Sequence, residues 1–191
     1  MKPNIWADLP LRIVSGALLL LVLLIGMWSG VAGILILLFM AAIAMHWEMG
    51  QMFGARRRRL FVICLVAGLG WLPLVVQPTV LNSGIFLPII ASFLPIVIGS
   101  ALIGKQRGVY IIYGAILTLG TMAFWYITIN FGVFGVTVLA TLVILSDIGG
   151  LVIGKTFKGK KLSKISPNKT ISGSIGSFVF TLTLVPIFIE N

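Results

Sequence analysis

The chain has 191 residues, 59% of them hydrophobic and 9% charged, with fourteen Lys and Arg against four Asp and Glu and a net charge of +10. A soluble domain carries roughly a quarter charged residues, so this chain has too little polar surface to coat a globule. Its mean hydropathy of +1.16 agrees. The single cysteine, Cys64, lies in an apolar run, which excludes a disulfide framework or a multi-cysteine metal site and leaves a packed or lipid-facing small residue.

Apolar runs of about 17–25 residues are long enough to cross a bilayer. They fall near residues 11–28, 31–47, 60–76, 85–103, 109–129, 131–153 and 171–189. The pattern predicts an all-α, polytopic membrane bundle of about seven transmembrane helices. Lys2 and Arg12 before the first run resemble the start of a signal peptide, but no small-x-small cleavage pattern follows, so that run is read as a retained helix. Only Asn130, flanked by Phe131 and Gly132, interrupts the stretch between the fifth and sixth runs. A hairpin is required there, because the whole stretch is far too long for one crossing at 1.5 Å per residue. Pro73, Pro88 and Pro95 are expected to kink their helices, Trp6, Trp28 and Trp47 to anchor span ends at the headgroups, and Gly150 and Gly154 to admit a close helix neighbour.

The basic residues sit at Lys2, Arg12, Arg56 to Arg59, Lys105, Arg107, Lys155, Lys158, Lys160, Lys161, Lys164 and Lys169. With the N-terminus cytoplasmic, all of them fall on one side of a seven-span chain, as the positive-inside rule requires. That distribution accounts for the charge without nucleic acid.

Residues 149–156, GGLVIGKT, spell the phosphate-loop pattern. A phosphate loop needs a strand before it and a helix after it, and here the interior of the motif reads as the end of a membrane helix. The spelling is expected to be coincidental. Asp147, just upstream, lies about 12 Å of helix before Lys155, deep enough for a carboxylate to need a polar cavity and a partner. An interfacial carboxylate paired with a nearby lysine is the plainer alternative. Beyond it, KTFKGKKLSKISPNKTISGSIGS combines six lysines, hydroxyls, a Ser166-Pro167-Asn168 turn and a helix start. Amides and hydroxyls at a helix start beside lysines suit an anion, whereas a solvated loop on anionic headgroups is the simpler reading.

The stretch SDIGGLVIGKTFKGKKLSKISPNKTISGSIGS, residues 146–177, resembles the phosphatidate cytidylyltransferase (CDP-diacylglycerol synthase) family. The matching positions are Asp147, Gly149, Gly154, Lys155, Gly159, Leu162, Ser166, Pro167, Lys169, Thr170, Gly173 and Gly176. The resemblance implies a single membrane-embedded domain over residues 1–191, in a bacterial cytoplasmic membrane with its active face cytoplasmic. It implies transfer of a cytidylyl group from CTP to phosphatidate with release of pyrophosphate, aided by magnesium or another divalent cation. It also implies roles: Asp147 as metal ligand, Asp147 and Lys169 as catalytic residues, and Lys155, Ser166, Pro167, Thr170 and Gly173 as substrate contacts. CTP, phosphatidate and membrane lipids are the implied partners, with a homodimer left open.

Two departures stand against the family pattern. Ser172 occupies a position where the family often has glutamate or glutamine, and the family's second motif, built on Lys-Asp, Pro-Gly-His-Gly-Gly and Asp-Arg, is missing. The expectation is therefore a chain lacking its C-terminal part, either active or a catalytically silent homologue. Glu48 is a candidate further ligand, and His46 is expected to be an interfacial hydrogen-bonding residue. A small ion- or proton-coupled transporter is a weaker alternative, because spans three to five carry almost no ionisable residue.

Overall fold

Glycine and proline decide where the helices stop. In the computed structural model, which describes residues 9–76, 86–103, 106–157, 159–161 and 169–183, the chain is helical: α1 (Leu9–Trp28), α2 (Gly30–Met52), α3 (Arg57–Val76), α4 (Phe86–Ser92), α5 (Leu94–Leu102), α6 (Arg107–Phe157) and α7 (Ile171–Leu182). Among the described residues there is no strand, and Lys161 and Thr170 form an isolated antiparallel bridge. Of these helices α2, α3 and α6 are long and apolar enough to cross a membrane, while Leu87–Leu102 and α7 are shorter apolar segments.

The expected fourth span is two helices rather than one. Proline has no amide hydrogen and its ring clashes with the carbonyl four residues back, so Pro95 sits in the first turn of α5 and starts a helix instead of kinking one. Pro73 does lie inside α3. Gly54 closes α2 at φ +72°, with the Ala55 amide reaching back to the Gly50 carbonyl at 2.9 Å. An L-residue at that φ would be strained. At Gly132 the backbone leaves the helical region within α6 (φ 59°, ψ −149°), next to the Asn130 at which the sequence places its break. Trp28 is 94% exposed, as suits a headgroup anchor. Trp6 lies outside the described residues.

The chain divides into two compact units, Met1–Val133 and Phe134–Asn191. In the first unit α2 packs along α3. The buried positions of α2, Ile34, Leu35, Leu38, Ala42, His46 and Met49, recur every three or four residues, and those of α3, Leu60, Ile63, Ala67, Trp71 and Leu74, do the same. This is the 3.6-residue period of a face turned to a neighbour. Trp71 and Trp125 close the main cluster with Leu35, Leu38, Ala42 and Leu74. The Trp125 indole N–H donates to the Leu74 carbonyl at 2.9 Å. The residue four positions on is Pro78, which has no amide hydrogen to give that carbonyl.

His46, expected to be an interfacial hydrogen-bonding residue, is fully buried on the packed face of α2, and its Nδ1–H donates to the Ala42 carbonyl at 2.8 Å. Cys64 is half-buried with its thiol pointing to the Ile43 carbonyl. The Arg59 guanidinium donates to the Leu102 carbonyl at 2.8 Å, tying the start of α3 to the end of α5.

In the second unit the part of α6 beyond Gly132 meets α7 through glycine. A Cβ on Gly173 would stand 2.9 Å from the Gly150 carbonyl oxygen, and one on Gly149 would stand 2.7 Å from that of Gly176. A Cβ on Gly154 would meet Gly173 Cα at 3.3 Å. The two backbones are therefore in contact where the sequence places a small-x-x-x-small pair, the arrangement that lets membrane helices gain dispersion contacts and approach closely.

Candidate functional site

Two helical faces of the second unit define a cavity of about 440 Å³, lined by Asp147, Gly150, Leu151, Gly154 and Lys155 of α6 and by Lys169, Thr170, Gly173, Ser174 and Ser177 at the start of α7. Counted from Asp147, the α6 residues fall at i, i+3, i+4, i+7 and i+8. Counted from Thr170, the others fall at i, i+3, i+4 and i+7. Each set is one face of a helix, and the glycine crossing between them leaves the room that larger side chains would fill.

The cavity is polarised along its length. Gly154 adjoins Thr170 and Gly150 adjoins Ser177, so Lys155 and Thr170 mark one end. Ser177 and Asp147 mark the other, about 12 Å of helix away. Asp147, Lys155 and Lys169 are exposed. Asp147 has no ion-pair partner among the described residues, so the plainer reading of an aspartate paired with a lysine finds no support there. A carboxylate and two ammonium groups are thus held apart in one cleft, where a ligand carrying both a cation and phosphates could satisfy both ends.

Local hydrogen bonds fix the start of α7. Thr170 has extended backbone angles (φ −113°, ψ 153°) and its Oγ1 accepts from the Gly173 amide at 3.1 Å, a side-chain N-cap. Ser172 donates to Thr170 Oγ1 at 3.2 Å and accepts from the Gly159 amide at 3.2 Å. The Ile171 amide donates to the Lys160 carbonyl at 2.9 Å. The amides of Ile171 and Gly173, which a bare helix start would offer to an anion, are thereby used within the protein. What the cleft offers to an anion is instead the ammonium groups of Lys155 and Lys169 and the hydroxyl of Ser177, while the Ser174 hydroxyl donates to the Thr170 carbonyl at 3.4 Å.

Of the residues singled out in the sequence, Asp147, Lys155, Lys169, Thr170 and Gly173 line this one cavity. Ser166 and Pro167 lie outside the described residues. Ser172 does not line the cavity; its hydroxyl clasps the returning chain. Sequence reasoning missed Ser174 and Ser177, although their spacing from Thr170 places them on its face of α7. Glu48 is an exposed residue of the first unit. Residues 149–156 are helical throughout, which rules out a phosphate loop there, since such a loop must turn its amides inward.

The sequence profile of the cytidylyltransferase family matches residues 10–190. The chain belongs to the cytidylyltransferase family. It is also similar to a protein of Encephalitozoon cuniculi (strain GB-M1) named phosphatidate cytidylyltransferase, with 43% identity over 53 residues, 28% of this chain. The match spans 14% of the length of that curated relative. No solved structure matches the chain. Family membership places the chain among nucleotidyltransferases, and its apolar helices make it an integral membrane protein.

Proposed function

We propose that the chain transfers a cytidylyl group from CTP to phosphatidate, giving CDP-diacylglycerol and pyrophosphate for phospholipid biosynthesis. The observation that carries this reading is the single polarised cleft of the second unit, with Asp147 at one end and Lys155 and Thr170 at the other. The name of the Encephalitozoon cuniculi relative supports the lipid acceptor. The extent of the family match, residues 10–190, supports one cytidylyltransferase-like domain embedded in the membrane. The one-sided distribution of lysine and arginine supports seven crossings with the N-terminus and the active cleft on the cytoplasmic face of a bacterial cytoplasmic membrane.

In the reaction an oxygen of the phosphatidate phosphomonoester attacks the α-phosphorus of CTP. A phosphorus–oxygen bond forms to the lipid phosphate, the bond from the α-phosphorus to the bridging oxygen of the β-phosphate breaks, and pyrophosphate leaves with that electron pair. Both reactants are polyanions, so the main barrier is electrostatic. Lys155 and Lys169 offset the charge of the triphosphate and of the leaving pyrophosphate. The Thr170 hydroxyl orients phosphate oxygens, and Gly173, whose amide is held by Thr170 Oγ1, keeps the crossing with α6 close; Ser166 and Pro167, also expected to contact substrate, lie outside the described residues.

The donor set also tests the fit of a divalent cation. Among the described residues Asp147 is the one carboxylate lining the cleft, and no three His, Cys, Asp or Glu side chains gather as a metal centre. Magnesium keeps several waters and is often held by one or two carboxylates plus substrate phosphates. Asp147 therefore fits one such ion arriving with the nucleotide and does not by itself furnish a two-metal centre. When bound there, the ion would neutralise phosphate charge and polarise the α-phosphorus.

The decisive experiment supplies purified protein in detergent with phosphatidate, magnesium and labelled CTP. Formation of labelled CDP-diacylglycerol is expected. A second reading, a membrane homologue without catalysis, rests on the lone carboxylate of the cleft. It predicts CTP binding without any labelled lipid.

A further inference from the structure

The first unit carries its positive charge mainly as arginine and the second as lysine. Of the eight basic residues in Met1–Val133 six are arginine, whereas all six in Phe134–Asn191 are lysine. The positive-inside rule counts both alike, so orientation in a membrane does not explain the division. The two side chains differ in how they meet phosphate. A guanidinium offers a planar fork for bidentate contact, and an ammonium offers a point charge.

Four of the arginines stand side by side, Arg56 just ahead of α3 and Arg57, Arg58 and Arg59 in its first turn, and all four are exposed. The fold uses one of them, since Arg59 donates to the Leu102 carbonyl at the end of α5. The side chains of Arg56, Arg57 and Arg58 have neither a hydrogen bond nor a carboxylate partner among the described residues. No acid lies in the first turn of α3, and the positive end of the helix dipole adds to the charge there. Three like charges are thus left uncompensated at one spot, which an anion with several acceptor oxygens would relieve.

The helix that follows selects the kind of anion. Counted from Arg58, the residues Phe61, Leu65, Leu69, Leu72 and Val76 fall at i+3, i+7, i+11, i+14 and i+18, which is one helix face, and all five are exposed. This strip lies opposite the face that Ile63, Ala67, Trp71 and Leu74 bury against the rest of the unit. From Arg58 to Val76 the helix rises about 27 Å, nearly the depth of the roughly 30 Å hydrocarbon core. With α3 crossing the membrane, the arginines therefore stand at the level of the headgroups. A guanidinium cluster at the head of an exposed apolar strip matches a phosphate ester joined to hydrocarbon chains. A free phosphate, a nucleotide or an acidic peptide matches the cluster and has no counterpart for the strip.

We propose that Arg56, Arg57 and Arg58 form a binding site for the headgroup phosphate of an anionic phospholipid whose acyl chains lie along the strip that begins at Phe61. The test uses the full chain in a neutral detergent and fluorescent phosphatidylglycerol, which is not a substrate of the reaction proposed above, so the outcome does not depend on that reading. Phosphatidylglycerol should bind saturably, and phosphatidylcholine at least about tenfold more weakly. Replacing the three arginines by lysine keeps the charge and removes the forks, and should weaken binding several-fold. Replacing them by glutamine should weaken it on the order of a hundredfold, because each cation near an anionic lipid contributes about fivefold. If the glutamine variant inserts wrongly, the lysine variant retains the charge that orients the chain and decides the test alone. Arg59→Gln should lower the unfolding temperature and leave lipid binding within about twofold. Binding by the lysine variant equal to that of the parent would reduce the patch to a topology signal and overturn the proposal. Equal binding of phosphatidylcholine would overturn it too, as would loss of binding in Lys155→Ala/Lys169→Ala, which would put the lipid in the cleft. Displacement by inorganic phosphate at the concentration of the lipid would show a site for free anions and likewise overturn it.

Discussion

In the first unit the helices are held together by bulk, and in the second by its absence. Trp71, Trp125, Leu35, Leu38 and Leu74 fill the space around α2 and α3, whereas α6 and α7 meet along Gly149, Gly150, Gly154, Gly173 and Gly176. Hydroxyls that turn onto a carbonyl of their own helix occur in both units, as at Thr121, Thr128 and Ser92 in the first and Thr141, Thr156 and Thr181 in the second. What the second unit adds is a cluster at the start of α7, where Thr170 caps the Gly173 amide, Ser172 accepts from the Gly159 amide, and Ser174 and Ser177 line a cavity. Packing by large side chains shuts polar groups of the first unit inside the fold, and His46 Nε2, Trp71 Nε1, the Tyr110 hydroxyl and Thr118 Oγ1 are buried there without a hydrogen-bond partner among the described residues. Packing by glycine brings two backbones close and keeps the polar side chains beside the crossing available to a ligand.

The largest effect should come from removing charge from the cleft without touching its packing. Asp147→Asn keeps the shape of the side chain, and Lys169→Ala trims an exposed one, so both variants should unfold at the temperature of the parent. Each should lower kcat/KM for CDP-diacylglycerol formation about 10²- to 10³-fold, the range seen when one preorganised electrostatic contact is lost. Turnover of labelled CTP within about twofold of the parent in either variant would remove that residue from the mechanism.

How far the sequence could foresee this contrast depends on what kind of signal each unit leaves. The cleft was legible because Asp147, Lys155, Lys169 and Thr170 are polar residues in apolar surroundings, and a charge inside or beside a membrane helix needs a reason. Gly150 and Gly154 announced a close neighbour by spacing alone. Ser174 and Ser177 were not foreseen, since a serine in a helix is compatible with lipid, with a carbonyl of its own helix or with a cavity. Only the position of α6 decides among these. The same holds for His46, whose burial follows from the angular position it shares with Ala42 and Met49 on α2 and not from its nearness to the end of the run. The split between α4 and α5 was half visible: Pro95 was noted, but a proline reads equally as a kink or as a first turn until the residues before it are placed.

Next in size is a pair of identical substitutions with opposite signs. A Cβ on Gly176 would stand 2.6 Å from the Gly149 carbonyl oxygen and would also run into Ile153. Gly176→Ala must therefore push α7 from α6, at about 1–3 kcal/mol for overpacking, and should lower both the unfolding temperature and turnover. Gly120→Ala meets no atom and gains helix propensity of about 1 kcal/mol, so its unfolding temperature should equal or exceed that of the parent. Circular dichroism melts in one detergent compare the two directly. Equal destabilisation by both would mean that the glycines of α6 and α7 are not distinguished by close approach at all.

The finest test separates two serines five residues apart on one helix. Ser172 holds Thr170 and the Gly159 amide and faces away from the cavity, whereas Ser177 lines the cavity beside Gly150. One hydrogen bond contributes about 0.5–1.5 kcal/mol, which sets the scale for both. Ser172→Ala frees the returning chain, so it should lower the unfolding temperature by a few degrees and leave KM for CTP nearly as it was. Ser177→Ala should leave the melt unchanged and raise KM for CTP about two- to tenfold, because the hydroxyl it removes is offered to the ligand and not to the fold. If the two variants exchange behaviours, Ser177 fastens the helices and the cleft ends short of it, leaving Asp147 without a neighbour at the far end and weakening its claim to hold a cation.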